Sequence, residues 1–252
     1  MNKNLIIGVD VGGTFTDVFI LDEMSSSVSV AKVPTTPKDQ SIGFLHGILS
    51  EIDELSDVAT IIHGTTVATN ALLERKGSKT GVITSKGFKD VLEMRRRDRP
   101  DTWGLWGKYK PIVPRDLRLE VKERALADGT IRDCVDVNEI QDSASKLVEE
   151  GCEALSIIFI NSYANDQNEK IAKGVIKDIW PNGHITVSSE ILPEIREFER
   201  ASTSTLNAIL QPVLSHYLGA LDKTLSNFAL ENSLSGFEFL SCIPGSIGGG
   251  IR

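Results

Sequence analysis

Leu5-Ile6-Ile7-Gly8-Val9 is a short apolar run rich in β-formers, and beyond the pair Gly12-Gly13 the stretch Phe15 to Leu21 is again β-branched and aromatic. The pattern predicts a strand, a glycine turn and a strand. A third strand is predicted over Val28 to Val33. Pro34 and Pro37 then break the alternation, and Ser41 to Ile52 places Leu45, Ile48, Leu49 and Ile52 on one helical face. Strand and helix periods follow in turn: a strand at Ala59 to His63, a helix over Val67 to Lys76 ended by Gly77, a strand at Gly81 to Thr84 and a helix over Phe88 to Arg96.

From Asp98 to Val113 neither period holds, and Trp103, Trp106, Pro111 and Pro114 predict an ordered loop. Leu117 to Leu126 and Ile131 to Val137 flank Asp128-Gly129, a favoured hairpin turn, so a projecting β-ribbon is predicted. A helix over Asn138 to Glu150, a buried strand at Ala154 to Ile160, a helix over Asp166 to Ile179 and a strand at Ile185 to Ser188 compose a second α/β unit. Glu197 to Leu230 reads as helical, with Pro212 as a kink or break.

Three strands before the first helix, then alternation, is the element order of a ribonuclease-H-like half of an actin/hexokinase-type ATPase. The fold class expected is therefore α/β: a ribonuclease-H-like half with a mixed sheet, plus a second α/β unit and a β-ribbon. Expected divisions are residues 1–97 as the phosphate-binding unit, 98–196 as the second unit with its hairpin, and 197–252 as a helical segment and the start of a truncated second half.

Composition adds exclusions. Hydrophobic residues make up 40% of the 252 and charged residues 25%, an ordinary globular balance that is silent on mechanism. With 27 Lys plus Arg against 35 Asp plus Glu, the net charge of -8 opposes nucleic acid and anionic lipid, so neither is expected as a partner. The one tight basic run, Arg95-Arg96-Arg97, reads as a solvated helix end. Cys134, Cys152 and Cys242 have no metal-ligand spacing and are odd in number, which fits a reducing compartment. The run at Leu5 is too short for a signal peptide or a membrane span, and a cytoplasmic protein is expected.

The chemistry concentrates in Asp10-Val11-Gly12-Gly13-Thr14-Phe15-Thr16-Asp17. A carboxylate ends a strand, and two glycines let consecutive N–H groups face a phosphate with no side chain between. Thr14 and Thr16 are expected to add hydroxyl donors. A carboxylate beside a phosphate implies a bridging cation, so Asp10 is the expected Mg²⁺ anchor, through water, with Asp17 supporting it. An ordinary Asp-Gly-Gly hairpin is the plain alternative. Neither G-x-G-x-x-G nor G-x-x-x-x-G-K-[ST] occurs at this point. His63-Gly64-Thr65-Thr66 sits where a strand becomes a helix, and a strand parallel to the first would bring His63 and Asp10 to one sheet edge. His63 is then an acid, base or orienting group, and Gly64, Thr65 and Thr66 are anion donors. The plain alternative makes His63 a satisfied strand-end residue and Thr65 a helix cap.

Val9 to Asp17, His63-Gly64-Thr65-Thr66 through Arg75-Lys76-Gly77, Arg97-Asp98-Arg99-Pro100-Asp101, Glu120-Val121-Lys122-Glu123-Arg124, Phe159 to Asn165 and Ser188 to Arg200 resemble, in order, the hydantoinase A/5-oxoprolinase family. The resemblance covers about residues 5 to 225. It implies ATP with Mg²⁺ and a small cyclic amide, hydantoin or 5-oxoproline, hydrolysed after phosphorylation of its carbonyl oxygen. It equally admits the ATP-using subunit of an acetone or aryl-ketone carboxylase, with a ketone as substrate, or a non-catalytic remnant serving assembly. A second family subunit or a homo-oligomer is the implied partner. Arg97, Arg99 and Asp101 would clamp a carboxylate or form surface ion pairs. Glu190, Glu194, Arg196, Glu197, Glu199 and Arg200 would line a cleft or a solvated face. Because the resemblance leaves the second ATPase half unmatched, apolar surface is expected to lie uncovered after Glu197.

Overall fold

The computed structural model describes residues 4–36, 40–52, 55–96 and 110–231. Along β1 (Leu5–Val11) the residues Ile7, Val9 and Val11 are buried while Gly8 and Asp10 face the other way. The same alternation runs through β2 (Phe15–Asp22), as expected of strands with one covered face. β3 (Ser27–Pro34), helix α1 (Gln40–Leu49), β4 (Val58–Thr65) and helix α2 (Val67–Leu73) complete the N-terminal stretch. The sheet order is β3-β2-β1-β4, with β2 antiparallel to both β1 and β3, and β4 parallel to β1. This is the mixed sheet the element order predicts.

After α2 the chain forms β5 (Thr80–Ser85), α3 (Val91–Met94), β6 (Arg118–Val121), β7 (Arg124–Ala125), β8 (Ile131–Asp133) and α4 (Val137–Glu149). β9 (Ala154–Ile158), α5 (Gln167–Lys177), β10 (Ile185–Val187), α6 (Ser188–Ile191) and α7 (Glu197–Glu231) follow. A second sheet, all parallel, has the order β10-β9-β5-β6. Every position of β5 and β9 is buried, because strands inside a parallel sheet are covered on both faces. Ile140, Ala144 and Leu147 of α4 and Ala172 and Ile176 of α5 join this core. Asp136 starts α4 by accepting from the backbone N–H groups of Asn138 and Glu139.

Three elements depart from the sequence reading. β5 does not extend the first sheet; its unbroken apolar character requires neighbours on both sides, and β9 and β6 supply them. The long hairpin arms shrink to β7 and β8 around Asp128-Gly129, since the upstream arm joins the second sheet as β6. Arg118 there is fully enclosed, its guanidinium held by the Lys89 carbonyl and the Glu93 carboxylate. The helix expected over Phe88 to Arg96 is only α3, ended by Arg95 at φ 51°.

Close packing divides the described residues at Lys76/Gly77 and again at Pro212/Val213. Residues through Lys76 and from Val213 onward form one unit, and Gly77–Pro212 form the other. α7 therefore contributes to both, and it continues through Pro212 as one helix. In the first unit Leu221 and Leu225 of α7 join Phe44 and Ile48 of α1 against Ile7, Val9, Val11, Val18 and Ile20.

The opposite face of the first sheet is open. Val30, Phe19, Gly8 and Ile62 lie side by side across all four strands, and Val30, Phe19 and Ile62 are 68%, 46% and 61% exposed. Among the residues whose burial is described, none of the large exposed hydrophobic residues lies after Glu197, and the part of that region beyond residue 231 lies outside the described residues.

Candidate active site

β1 and β2 are joined by Gly12-Gly13-Thr14. The Gly12 N–H donates to the Phe15 carbonyl at 3.0 Å, and a Cβ on Gly12 would lie 2.9 Å from that same oxygen, so the turn admits only glycine without shifting. Gly13 and Thr14 are exposed at its tip. Beneath the turn, Thr16 is fully buried; its hydroxyl lies 3.0 Å from that of Thr35, which donates to the Gly12 carbonyl. Thr16 thus fastens the hairpin from its covered side and does not offer a donor at the tip.

Asp10 and Asp17 face each other across the two strands on the open side of the sheet. Lys32 on β3 stands next to Asp17, its Nζ 3.0 Å from the carboxylate. Asp10 makes no hydrogen bond or ion pair among the described residues. Gly64 is its register partner on β4, where a Cβ would come within 3.3 Å of Asp10 Oδ1. Glycine there keeps the carboxylate unobstructed, above a hollow of about 300 Å³ lined by Gly8, Asp10, Asp17, Phe19, Ile62 and Gly64.

β4 runs parallel to β1, as its place in the sequence predicts, but His63 pairs with Val9 and so points to the covered face, away from Asp10. Its Nδ1 lies 3.3 Å from the Val9 carbonyl and its Nε2 2.6 Å from the Tyr217 hydroxyl, with the Phe44 ring edge-on at 5.0 Å. A carbonyl only accepts, so Nδ1 carries the proton and Nε2 accepts from Tyr217. Burial pushes the His63 pKa down, against the Val9 carbonyl and the Asp10 charge, and pushes the Tyr217 phenol up to about 12. Both groups are held neutral. His63 and Asp10 reach one sheet edge on opposite faces, which matches the satisfied strand-end reading of His63.

Thr65 accepts from the Val67 N–H at the start of α2, while Thr66 donates its N–H to the Val11 carbonyl and accepts from the Asn70 side chain. A Cβ on Gly13 would lie 3.5 Å from Asn70 Nδ2, so Asn70 stands beside the turn. Asn70, Lys32, Thr35 and Tyr217 complete the surroundings of the hairpin. Sequence reasoning places Asn70 in the polar cluster after His63 but does not assign Lys32, Thr35 and Tyr217 these places; Tyr217 is 154 residues from its partner, and no local period marks it.

Most of the remaining polar motifs brace the second unit. The Glu123 carboxyl accepts from Ser85 and from Asn168 at 2.8 Å, and burial pushes its pKa up. Glu169, fully buried, accepts from the Phe159 N–H, the Ser188 hydroxyl and the Ser189 N–H. Asn161 and Asn165 donate to the carbonyls of Ala125 and Gly129, which ties the ribbon down. Arg97, Arg99 and Asp101 lie outside the described residues.

Among the described residues no three His, Cys, Asp or Glu side chains gather around a metal position. Asp10 is a single, unobstructed carboxylate, a donor set suited to a hydrated cation shared with a phosphate and not to a protein-chelated ion.

A family model described as the hydantoinase/oxoprolinase N-terminal region matches residues 6–180. An uncharacterized protein of Methanocaldococcus jannaschii is 40% identical over 225 residues, which span 88% of this chain and 33% of that protein. The caprolactamase subunit alpha of Pseudomonas jessenii is 32% identical over 92% of this chain and 35% of its own length. The acetophenone carboxylase gamma subunit of Aromatoleum aromaticum is 31% identical over 85% and 32%. The crystal structure of the ATP-dependent caprolactamase from Pseudomonas jessenii superposes with a TM-score of 0.76 at 31% identity, covering 95% of this chain and 34% of that one. The chain spans about a third of the length of the curated relatives it matches.

Proposed function

The chain belongs to the hydantoinase/oxoprolinase family, and on that premise we propose that it serves an ATP-dependent hydrolase of cyclic amides, with Asp10 at the phosphate site. The observation that carries the reading is the unpaired Asp10 carboxylate beside a turn that only glycine fits, at the end of a central strand. The N–H groups of Gly13 and Thr14 at the exposed tip would bind the ATP phosphates, and Asp10 would hold Mg²⁺ through water. When bound, the ion supplies charge neutralisation for the phosphates. Asp17, neutralised by Lys32, leaves Asp10 as the carboxylate available to it. Gly64 gives clearance, and Thr65 and Thr66 hold β4 and α2 to the turn. His63 supports the site from below, fixing the Val9 carbonyl one residue before Asp10.

A lactam carbon is a poor electrophile. In the proposed reaction its oxygen takes the γ-phosphoryl group of ATP and ADP leaves. Water then adds to the activated carbon, the ring C–N bond breaks with protonation of nitrogen, and hydrolysis releases phosphate and the open-chain acid. The family name and the caprolactamase subunit support this reading. Identity to an acetophenone carboxylase subunit supports a second one, in which ATP activates a ketone enolate for carboxylation. Both of these relatives are named as subunits, which supports a second subunit as partner. Free Cys134 and Cys152 support a reducing, cytoplasmic setting, and no described helix is long and apolar enough to cross a membrane. ADP release by the complete enzyme with its partner decides between the readings. Stimulation by 5-oxoproline, hydantoin or a simple lactam is expected, and stimulation only by a ketone with bicarbonate would replace the hydrolase with the carboxylase.

A further inference from the structure

Four positions at one height cross the first sheet on its open face. Gly64 of β4 pairs with Asp10 of β1, Asp10 with Asp17 of β2, and Asp17 with Lys32 of β3. Like charges directly opposite one another weaken a sheet, so the neighbouring carboxylates of Asp10 and Asp17 work against the fold. A local arrangement that opposes stability marks a place shaped for another purpose. Lys32 is the only Lys or Arg in the four strands, and it stands at the end of this row.

The Lys32 ammonium is drawn toward the glycine turn. Its Nζ lies 3.0 Å from Asp17 Oδ1 and 3.4 Å from Oδ2, and 5.2 Å from the centroid of the Phe15 ring. Phe15 is the residue that leaves the Gly12-Gly13-Thr14 turn, and its register partner Pro34 is two residues along β3 from Lys32, about 7 Å of strand. The side chains of Lys32 and Asp17 are 57% and 53% exposed, so water screens their ion pair and it contributes little to stability. An ammonium has three N–H donors, and one carboxylate leaves donors for a second anion.

We infer that Lys32 is a phosphate ligand of the nucleotide site, its ammonium held over Phe15 by Asp17 and donating to a phosphate oxygen of ATP laid along the hairpin. Asp17 is then a positioning residue: it keeps the ammonium beside the turn. The inference rests on the phosphate-site reading of Asp10 and the glycine turn, and adds the cation to it. Mg·ATP stays anionic after the charge of the metal is counted, and two carboxylates on the same face oppose its approach. The N–H groups of Gly13 and Thr14 carry only partial charge. An ammonium beside them gives the phosphates a full positive charge, which lysine supplies as a point charge without a demand for paired geometry.

The complete enzyme with its partner tests this through binding and through the reactivity of Lys32 itself. In calorimetric titration with Mg·ATP, Lys32→Met is expected to bind about ten-fold or more weakly than the wild type, the size of one charge-assisted hydrogen bond. Lys32→Arg is expected to recover most of that loss. Both variants are expected to keep the wild-type melting temperature, because the ion pair is exposed. Acetylation of Lys32 by N-hydroxysuccinimidyl acetate, read by peptide mass spectrometry, is expected to be slowed by Mg·ATP and not by adenosine, which has no phosphate. Wild-type affinity in Lys32→Met would overturn the inference, as would acetylation that Mg·ATP leaves unchanged or that adenosine slows equally. Asp10→Asn separates this inference from the reading beneath it. Loss of Mg·ATP binding in Asp10→Asn together with full binding in Lys32→Met removes only the role of Lys32. Undiminished binding in Asp10→Asn removes the phosphate-site reading, and the role of Lys32 with it.

Discussion

Asp10 and His63 occupy neighbouring strands at one height, and their environments assign them different work. Asp10 is exposed and unpaired, so Asp10→Asn is expected to change stability by less than about 0.5 kcal/mol while removing Mg²⁺-dependent ATP binding. Wild-type affinity in the complete enzyme would sink the role given to Asp10. His63 is enclosed and neutral. Its pKa in the folded chain lies below the ordinary 6.5, so at mildly acidic pH the unfolded chain binds more protons than the folded one. The stability this group contributes is thus present above pH 6.5 and is lost as pH falls toward the lower folded value. Urea melts at pH 5 to 8 are expected to show that slope, and His63→Gln to flatten it. Tyr217→Phe leaves Nε2 without its donor and is expected to cost about 1–3 kcal/mol. An unchanged melt would mean that water replaces the hydroxyl.

At the scale of elements, the β1–β2 hairpin was legible because strand alternation and a glycine turn are local properties of Leu5 to Leu21. β5 was misplaced because an unbroken apolar run states that both faces are covered without stating by which strands. α7 shows the opposite effect. Pro212 reads as a break, since a helix-interior proline loses a hydrogen bond and costs about 3 kcal/mol or more. Buried Ala208, Ile209 and Leu210 before it and Tyr217, Leu221 and Leu225 after it keep the helix continuous. Pro212→Ala is accordingly expected to raise the urea midpoint, by about 1 kcal/mol once the greater freedom of the unfolded chain is counted. A lowered midpoint would show that the proline is needed for packing.

For the molecule as a whole, the row Val30, Phe19 and Ile62 is its most conspicuous exposed apolar feature among the described residues. Apolar patches of this kind promote association in water. Phe19→Thr with Ile62→Thr is expected to reduce concentration-dependent light scattering without lowering the melting temperature, because neither side chain is in the core. Scattering that persists in the double variant would place the sticky surface elsewhere.

The sequence alone determined what depends on near neighbours: the strands, the glycine turn that frees Asp10, most helix positions, and a resemblance strong enough to name the family. Strand direction followed as well, since β4 had to return parallel after α1 and thereby came to lie beside β1. Only the tertiary structure decided which face each side chain took and what met it there. A shift of one residue along a strand reverses the face, so Val9 and Asp10 part company, and His63 follows Val9 inward to a tyrosine that lies 154 residues further along the chain. The same holds for Arg96 and Glu199, 103 residues apart, whose ion pair no local pattern announces.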